Sequence, residues 1–111
     1  MAARSLLVAS GRVSVAGTEV LLTPTVTDGE RRLYMIEIWT ESGSTALNYK
    51  INSTTAVTYD AANYNILPGM VPFRTVVLGI FNLRFIASGA TAVVNYRVEE
   101  IPTNAVGNAI Y

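Results

Sequence analysis

The sequence predicts an all-β fold: an antiparallel two-sheet β-sandwich, jelly-roll or immunoglobulin-like, with about 7–9 short strands. Three observations carry that expectation. Apolar and polar residues alternate with period two through much of 81–87 and 92–98, and 33–40 is a run of strand-favouring residues apolar on both faces. Turn residues punctuate the chain at strand-length intervals, at Gly11, Gly17, Asp28-Gly29, Gly43, Pro68-Gly69, Gly79 and Gly89. No stretch combines helical periodicity with end caps. A chain of 111 residues is long enough for one core and too short for two. It therefore reads as a single β domain over 1–111, with flexible arms at 1–7 and 103–111.

In chain order, 5–9 forms a first short strand closed by Ser10-Gly11, and Val13 and Val15 alternate with Arg12 and Ser14 beyond it. Residues 19–26 follow, with Pro24 arguing for a sheet edge or a bulge. Asp28-Gly29 suits a type I′ turn that folds 19–27 back onto 30–40. Within 33–40, Tyr34, Ile36 and Ile38 share one face, while Leu33, Met35 and Trp39 surround a lone Glu37 on the other. Apolar side chains on both faces imply a strand covered on both sides. The second cover is either a neighbouring subunit or a local segment of the same chain. Residues 46–52 and 54–59 are the next strands, 60–65 is loop, and 73–78 resumes as a strong strand.

The stretch 80–99 reads as one long hairpin about Gly89-Ala90, a dipeptide suited to a type II′ turn. Its pairs are Ala87/Ala92, Phe85/Val94, Leu83/Tyr96 and Phe81/Val98, all on one face, with Arg84 and Arg97 on the other. After Ile101, Pro102 stops pairing.

Composition excludes more than it selects. Histidine and cysteine are both absent. The usual nucleophile–base arrangements, thiol chemistry, disulfides and cysteine metal sites go with them. Glu99 and Glu100 are neighbours on a strand, point to opposite faces and cannot work as a pair. No Ser spacing around Lys50 suggests a Ser–Lys dyad. The expectation is a protein that is not an enzyme, with no catalytic residue, cofactor or metal. Net charge is zero, with no basic stripe, so neither nucleic acid nor membrane is an expected partner. The apolar run 6–9 is too short for a signal peptide, and the longest, near 76–81, falls far below the ~20 residues of a membrane helix.

Four smaller features have two readings each. Asp60, Asn63 and Asn65 could offer oxygen ligands to calcium, but a turn using Asx chemistry explains them better. Asn52-Ser53-Thr54 matches the glycosylation sequon, and chance explains a motif so short. Glu37 either pairs with an arginine of another subunit or reaches solvent at a rim, the second being preferred. Tyr49, Tyr59 and Tyr64, interspersed with asparagines, would suit stacking on sugar rings. Equally they would suit packing against protein, at an interface or, as the default, in the core.

Hydrophobic residues make up 50% of the chain and charged residues 14%, against about a quarter in ordinary domains. Such a surface favours a subunit that buries part of its exterior against protein. Leu33, Met35 and Trp39 are the expected contributors, with Glu37 and Arg74 as rim or register residues.

In its short Gly/Pro-punctuated strands, abundant Ala, Thr, Val and Asn, few charges and lack of catalytic groups, the chain resembles tailed-phage head decoration (cement) proteins. The resemblance lies in general character and carries no residue correspondence. It implies a non-enzymatic structural protein, self-associating as a trimer, that binds the major capsid protein and stabilises the particle. It also implies residence on the capsid exterior of a virion assembled in host cytoplasm. The alternative is a carbohydrate-binding β-sandwich module that uses Tyr49, Tyr59 and Tyr64.

Overall fold

The computed structural model describes residues 6–24, 32–62, 66–67, 72–89 and 91–101. Eight strands are present among them: β1 (Leu6–Val15), β2 (Val20–Leu22), β3 (Leu33–Thr40), β4 (Leu47–Ile51), β5 (Ile66–Leu67), β6 (Phe73–Leu78), β7 (Leu83–Ala87) and β8 (Ala92–Ile101). They form two four-stranded sheets. The long sheet has the order β1-β8-β3-β6 and the short sheet β2-β7-β4-β5.

All ladders are antiparallel, and β1 pairs with β8, β2 with β7, β3 with β6, and β4 with β5. That nested pairing is a long antiparallel ribbon rolled up so that its rungs fall alternately in two sheets. It is the jelly roll, which decides between the two sandwiches the sequence allowed.

The core follows the alternation. Tyr34, Ile36 and Ile38 of β3, Leu83, Phe85 and Ala87 of β7, and Ala92, Val94 and Val98 of β8 are buried in one cluster with Val15 and Leu47. At ~1.5–3 kcal/mol per large side chain removed from water, this cluster dominates the favourable side of folding.

The 80–99 hairpin is corrected. β7 and β8 are consecutive but lie in different sheets. Phe85 and Val94 therefore enter the same core from opposite walls instead of pairing side by side. Alternation shows which face a side chain takes and says nothing of the neighbouring strand. β8 is ten residues long and finds ladders on both sides, with β1 and β3. β7 joins β2 and β4. The pairing of 19–27 with 30–40 is corrected likewise: β2 lies in the short sheet and β3 in the long one. Residues 25–31, with the Asp28-Gly29 turn, lie outside the described residues.

Ser10-Gly11 does not close a strand either. β1 runs through both, with a register shift between Leu7 and Ala9 that marks a bulge. Gly11 sits opposite Tyr96, and a Cβ there would lie 2.6 Å from the tyrosine Oη. The missing side chain makes room for the ring. Leu6 and Leu7 already belong to β1, so the expected arm 1–7 gives up its last two residues; 1–5 and 103–111 lie outside the described residues.

Gly79, at φ 80°, takes the chain out of β6. Its N–H donates to Arg32 O at 2.7 Å, which closes the end of the β3–β6 ladder.

Candidate interaction surface

The two outer faces of the sandwich differ in what covers them. On the short sheet, residues 52–62 leave β4 and run back over β4 and β7, held by outward-pointing side chains. Asn48 Nδ2 donates to Asp60 O at 3.2 Å, and Asn48 Oδ1 accepts from Asp60 N at 2.9 Å. Lys50 Nζ donates to Thr55 Oγ1 and Ala56 O at 3.0 and 3.1 Å. Arg84 Nε donates to Ser53 O at 2.9 Å, and Glu19 Oε2 accepts from Val57 N at 2.6 Å. Asn48 and Val57 are buried as a result. The strand expected over 54–59 from its β-favouring residues is therefore corrected: the segment forms none, because its backbone groups go to side chains and not to a ladder.

Asn52 begins this crossing at φ 55°, a conformation asparagine tolerates better than most residues. Its Nδ2 donates to Gly79 O and its Oδ1 accepts from Phe81 N, at 2.9 and 2.8 Å. The sequon asparagine therefore holds two loops together. Asp60 Oδ1 accepts from Ala62 N at 2.9 Å, the Asx turn preferred over calcium binding; Asn63 and Asn65 lie outside the described residues.

The three tyrosines do not form one face. Tyr49 points inward and its ring meets Phe73 at 4.8 Å between centroids, whereas Tyr59 is exposed on the covering segment. Tyr64 lies outside the described residues. The sugar-stacking set is separated into core and surface.

The outer face of the long sheet is different. Leu33, Met35, Glu37 and Trp39 of β3 all point there, alternating with the buried residues. β6 places Leu78, Val76 and Arg74 opposite Leu33, Met35 and Glu37. β8 places Glu99, Arg97 and Asn95 opposite Met35, Glu37 and Trp39. All five expected interface residues share this face. Leu7, Val76 and Leu78 on it are 55, 53 and 67% exposed. Among the described residues no segment crosses it as 52–62 crosses the other.

Polar groups on this face are tied within the chain. Arg74 Nε pairs with Glu37 Oε2, so the arginine that meets Glu37 comes from the adjacent strand. Arg97 pairs with Glu99 at 2.5 Å. Arg12 binds Glu41 through Nε at 2.5 Å and Nη2 at 3.1 Å, and Asn95 Nδ2 donates to the same carboxylate at 2.8 Å. The Arg12 hydrogen bond and then that of Asn95 hold the Glu41 carboxyl below the usual carboxylate range. Glu99 and Glu100 have separate partners, Arg97 and Arg32. Beside Trp39 the face dips into an open depression of about 450 Å³, lined by Leu7, Ser10, Arg12, Asn95 and Arg97 among others.

No protein-family model matches the sequence, and no curated protein matches it. The fold has a likeness among solved structures. It is similar to a Bacillus endospore appendage protein, of a family of disulfide-linked pili, over 90% of this chain and 92% of that one. The TM-score is 0.50 at 7% sequence identity, a likeness of fold alone. That neighbour is a structural protein of an assembly. The present chain has no cysteine, so it has no residue with which to form such disulfides.

The covering of the short sheet was not legible as a site in the sequence. Glu19 and Arg84 are 65 residues apart, Asn48 and Asp60 12 apart, and no local pattern announces either contact.

Proposed function

We propose that this chain is a non-enzymatic structural subunit that self-associates and lies with the outer face of its long sheet against protein, as a decoration protein does on the exterior of a virus capsid. One observation carries the reading. The short sheet is covered by the chain's own residues 52–62, while the long sheet leaves Leu7, Val76 and Leu78 open beside Leu33, Met35 and Trp39. Leu33, Met35, Val76 and Leu78 make one end of this face apolar, bounded by the Arg97–Glu37–Arg74 row, and a bare apolar patch beside paired charges suits a protein contact; among the described residues Leu21 of β2 is the one exposed aliphatic on the short sheet. The fold likeness to an appendage subunit supports a structural role without specifying the assembly.

A stable contact covers about 800 Å² per partner. A four-stranded face about 19 Å wide and 26 Å long supplies much of that. Arg74, Arg97 and Arg12 already hold carboxylates, so docking through this face does not bury any of these three arginines unpaired.

The test is sedimentation equilibrium of the wild type and Trp39→Ala, with and without purified empty capsids. The expected result is an oligomer of the 12.0 kDa chain that binds capsids. Trp39→Ala lowers both properties and leaves the urea midpoint nearly unchanged. A wild type that stays single at high concentration and ignores every shell overturns the reading. So does a Trp39→Ala protein that fails to fold, since the residue is then core.

A further inference from the structure

We infer that two copies of this chain join through β6, pairing antiparallel across a twofold axis at Val76 so that the two long sheets become one eight-stranded sheet. The inference rests on the self-association proposed above and names its contact. It starts from the four sheet edges that find no ladder partner among the described residues. Soluble proteins blunt such edges with short strands, bulges, charges or proline. The edges at β2 and β5 are three and two residues long. The β1 edge is bulged between Leu7 and Ala9 and carries Arg12. β6 has six residues, Phe-Arg-Thr-Val-Val-Leu, in unbroken register with β3 and with a single charge. β1 also keeps register beyond its bulge, from Ala9 to Val15, but the side chains it exposes there are Ser10, Arg12 and Ser14, whereas β6 exposes the aliphatics Val76 and Leu78.

The backbone shows which groups are free. Gly79 N donates to Arg32 O, and Gly79 and Arg32 continue the β3–β6 register, so they form a hydrogen-bonded pair. Such pairs alternate along an antiparallel ladder. Phe73, Thr75 and Val77 therefore bond β3, while Arg74, Val76 and Leu78 turn both N–H and C=O to the open edge. These same residues carry the outward side chains.

Register follows from the side chains. Centred on Val76, the pairing sets Val76 opposite the partner's Val76 and Arg74 opposite the partner's Leu78. About six main-chain hydrogen bonds form, all from groups free in one copy. A register two residues toward the N-terminus of β6 sets Arg74 against the partner's Arg74, and like charges directly opposite repel. The favoured register also joins the outward aliphatics of both copies into one stripe. A twofold contact of this kind is self-complementary and closes. It implies a dimer as the elementary unit, against the trimer that the resemblance implied.

Two variants test this in a chain with no native cysteine. Val76→Cys is expected to cross-link to a dimer under oxidised glutathione, since hydrogen-bonded pairs sit about 5.5 Å apart between Cα atoms, within disulfide reach. Thr58→Cys, exposed on the segment that covers the short sheet, is expected not to. Val76→Pro removes an N–H that bonds nothing in the single copy, so the chain folds and its sedimenting mass falls by half. Val76→Lys, should the proline variant fail to fold, is expected to have the same effect on mass. Equal cross-linking at both cysteine positions, or none at either, overturns the inference. So does a folded Val76 variant that keeps the wild-type mass, and self-association then resides elsewhere. A wild type that sediments as one chain overturns both this inference and the function it rests on.

Discussion

Glu19 Oε1 accepts a hydrogen bond from Arg84 Nη1 at 2.8 Å, and both side chains are largely withdrawn from water. The other oxygen of the same carboxylate takes the Val57 amide. One acid thus ties the start of β2 and the outward face of β7 to the segment that covers the short sheet. Glu19→Ala leaves Arg84 with the Ser53 carbonyl alone and orphans the Val57 N–H. The expected cost is about 2 kcal/mol in urea unfolding, with loss of hydrogen-exchange protection at Val57. A variant that keeps that protection shows that the cover is held without the carboxylate.

Gly11 and Tyr96 give a sharper steric case. Gly11→Ala places a Cβ within 3 Å of three tyrosine ring and hydroxyl atoms. Tyr96 is partly buried against the core, so it can yield only in part. Destabilisation of about 1 kcal/mol is expected. A double-mutant cycle with Tyr96→Ala checks it: the cost of Gly11→Ala should vanish once the ring is gone.

What could be read from the sequence follows from what is local. The limits of β3 and β6 fall at 33–40 and 73–78 as predicted, because a run of strand-favouring residues and the turn residues that end it, Ser42-Gly43-Ser44 and Gly79, are local signals. The inward set of β7 and β8 was legible for the same reason. Their neighbours were not, since Gly89-Ala90 permits a hairpin as readily as a crossing between sheets, and the choice rests on β1, 70 or more residues earlier. Gly11 looked like a terminator because the ring that needs its bare Cα lies on another strand. On the candidate face, Leu33, Met35, Glu37, Trp39 and Arg74 were named from the sequence, but the pairing of Glu37 with Arg74 inside one chain was not, because it depends on which strand lies beside β3. Leu7, Val76 and Leu78 were not singled out, because β-branched or aliphatic residues in a strand give no sign of which sheet will leave them bare.

Adjacent residues on β3 separate fold from contact. Ile38 is fully buried, whereas Trp39 points to the outer face beside the depression. Ile38→Ala is expected to cost about 3 kcal/mol through lost burial and the cavity left behind. Measured below the concentration at which chains associate, Trp39→Ala should cost far less. Similar losses for both would place the tryptophan in the core.

Acid should loosen the β1–β3 corner through Glu41. Its folded-state pKa is lowered by Arg12 and Asn95, so its contribution is complete above the ordinary carboxylate pKa. It is lost as pH falls through the depressed folded value. Glu41→Gln removes that contribution, so the variant's urea midpoint should fall less steeply on acidification than the wild type's. Parallel profiles would show that the pair adds nothing to stability.

Glu37 lies between two arginines, opposite Arg74 on β6 and Arg97 on β8. Arg74 holds it, while Arg97 turns to Glu99 two residues along its own strand. Removing Arg74 leaves a carboxylate with a replacement cation already in register, so Arg74→Ala should cost at most about 0.5 kcal/mol. Arg97→Ala alone should be similarly mild, because the Arg74–Glu37 pair is untouched. Together they strip Glu37 of both partners, and the double variant should lose more than the two single losses added. High salt should shrink that excess, since one member of each pair is exposed. Strict additivity at low salt would mean that Arg97 does not move across to Glu37, and that Arg74 alone sets its charge balance.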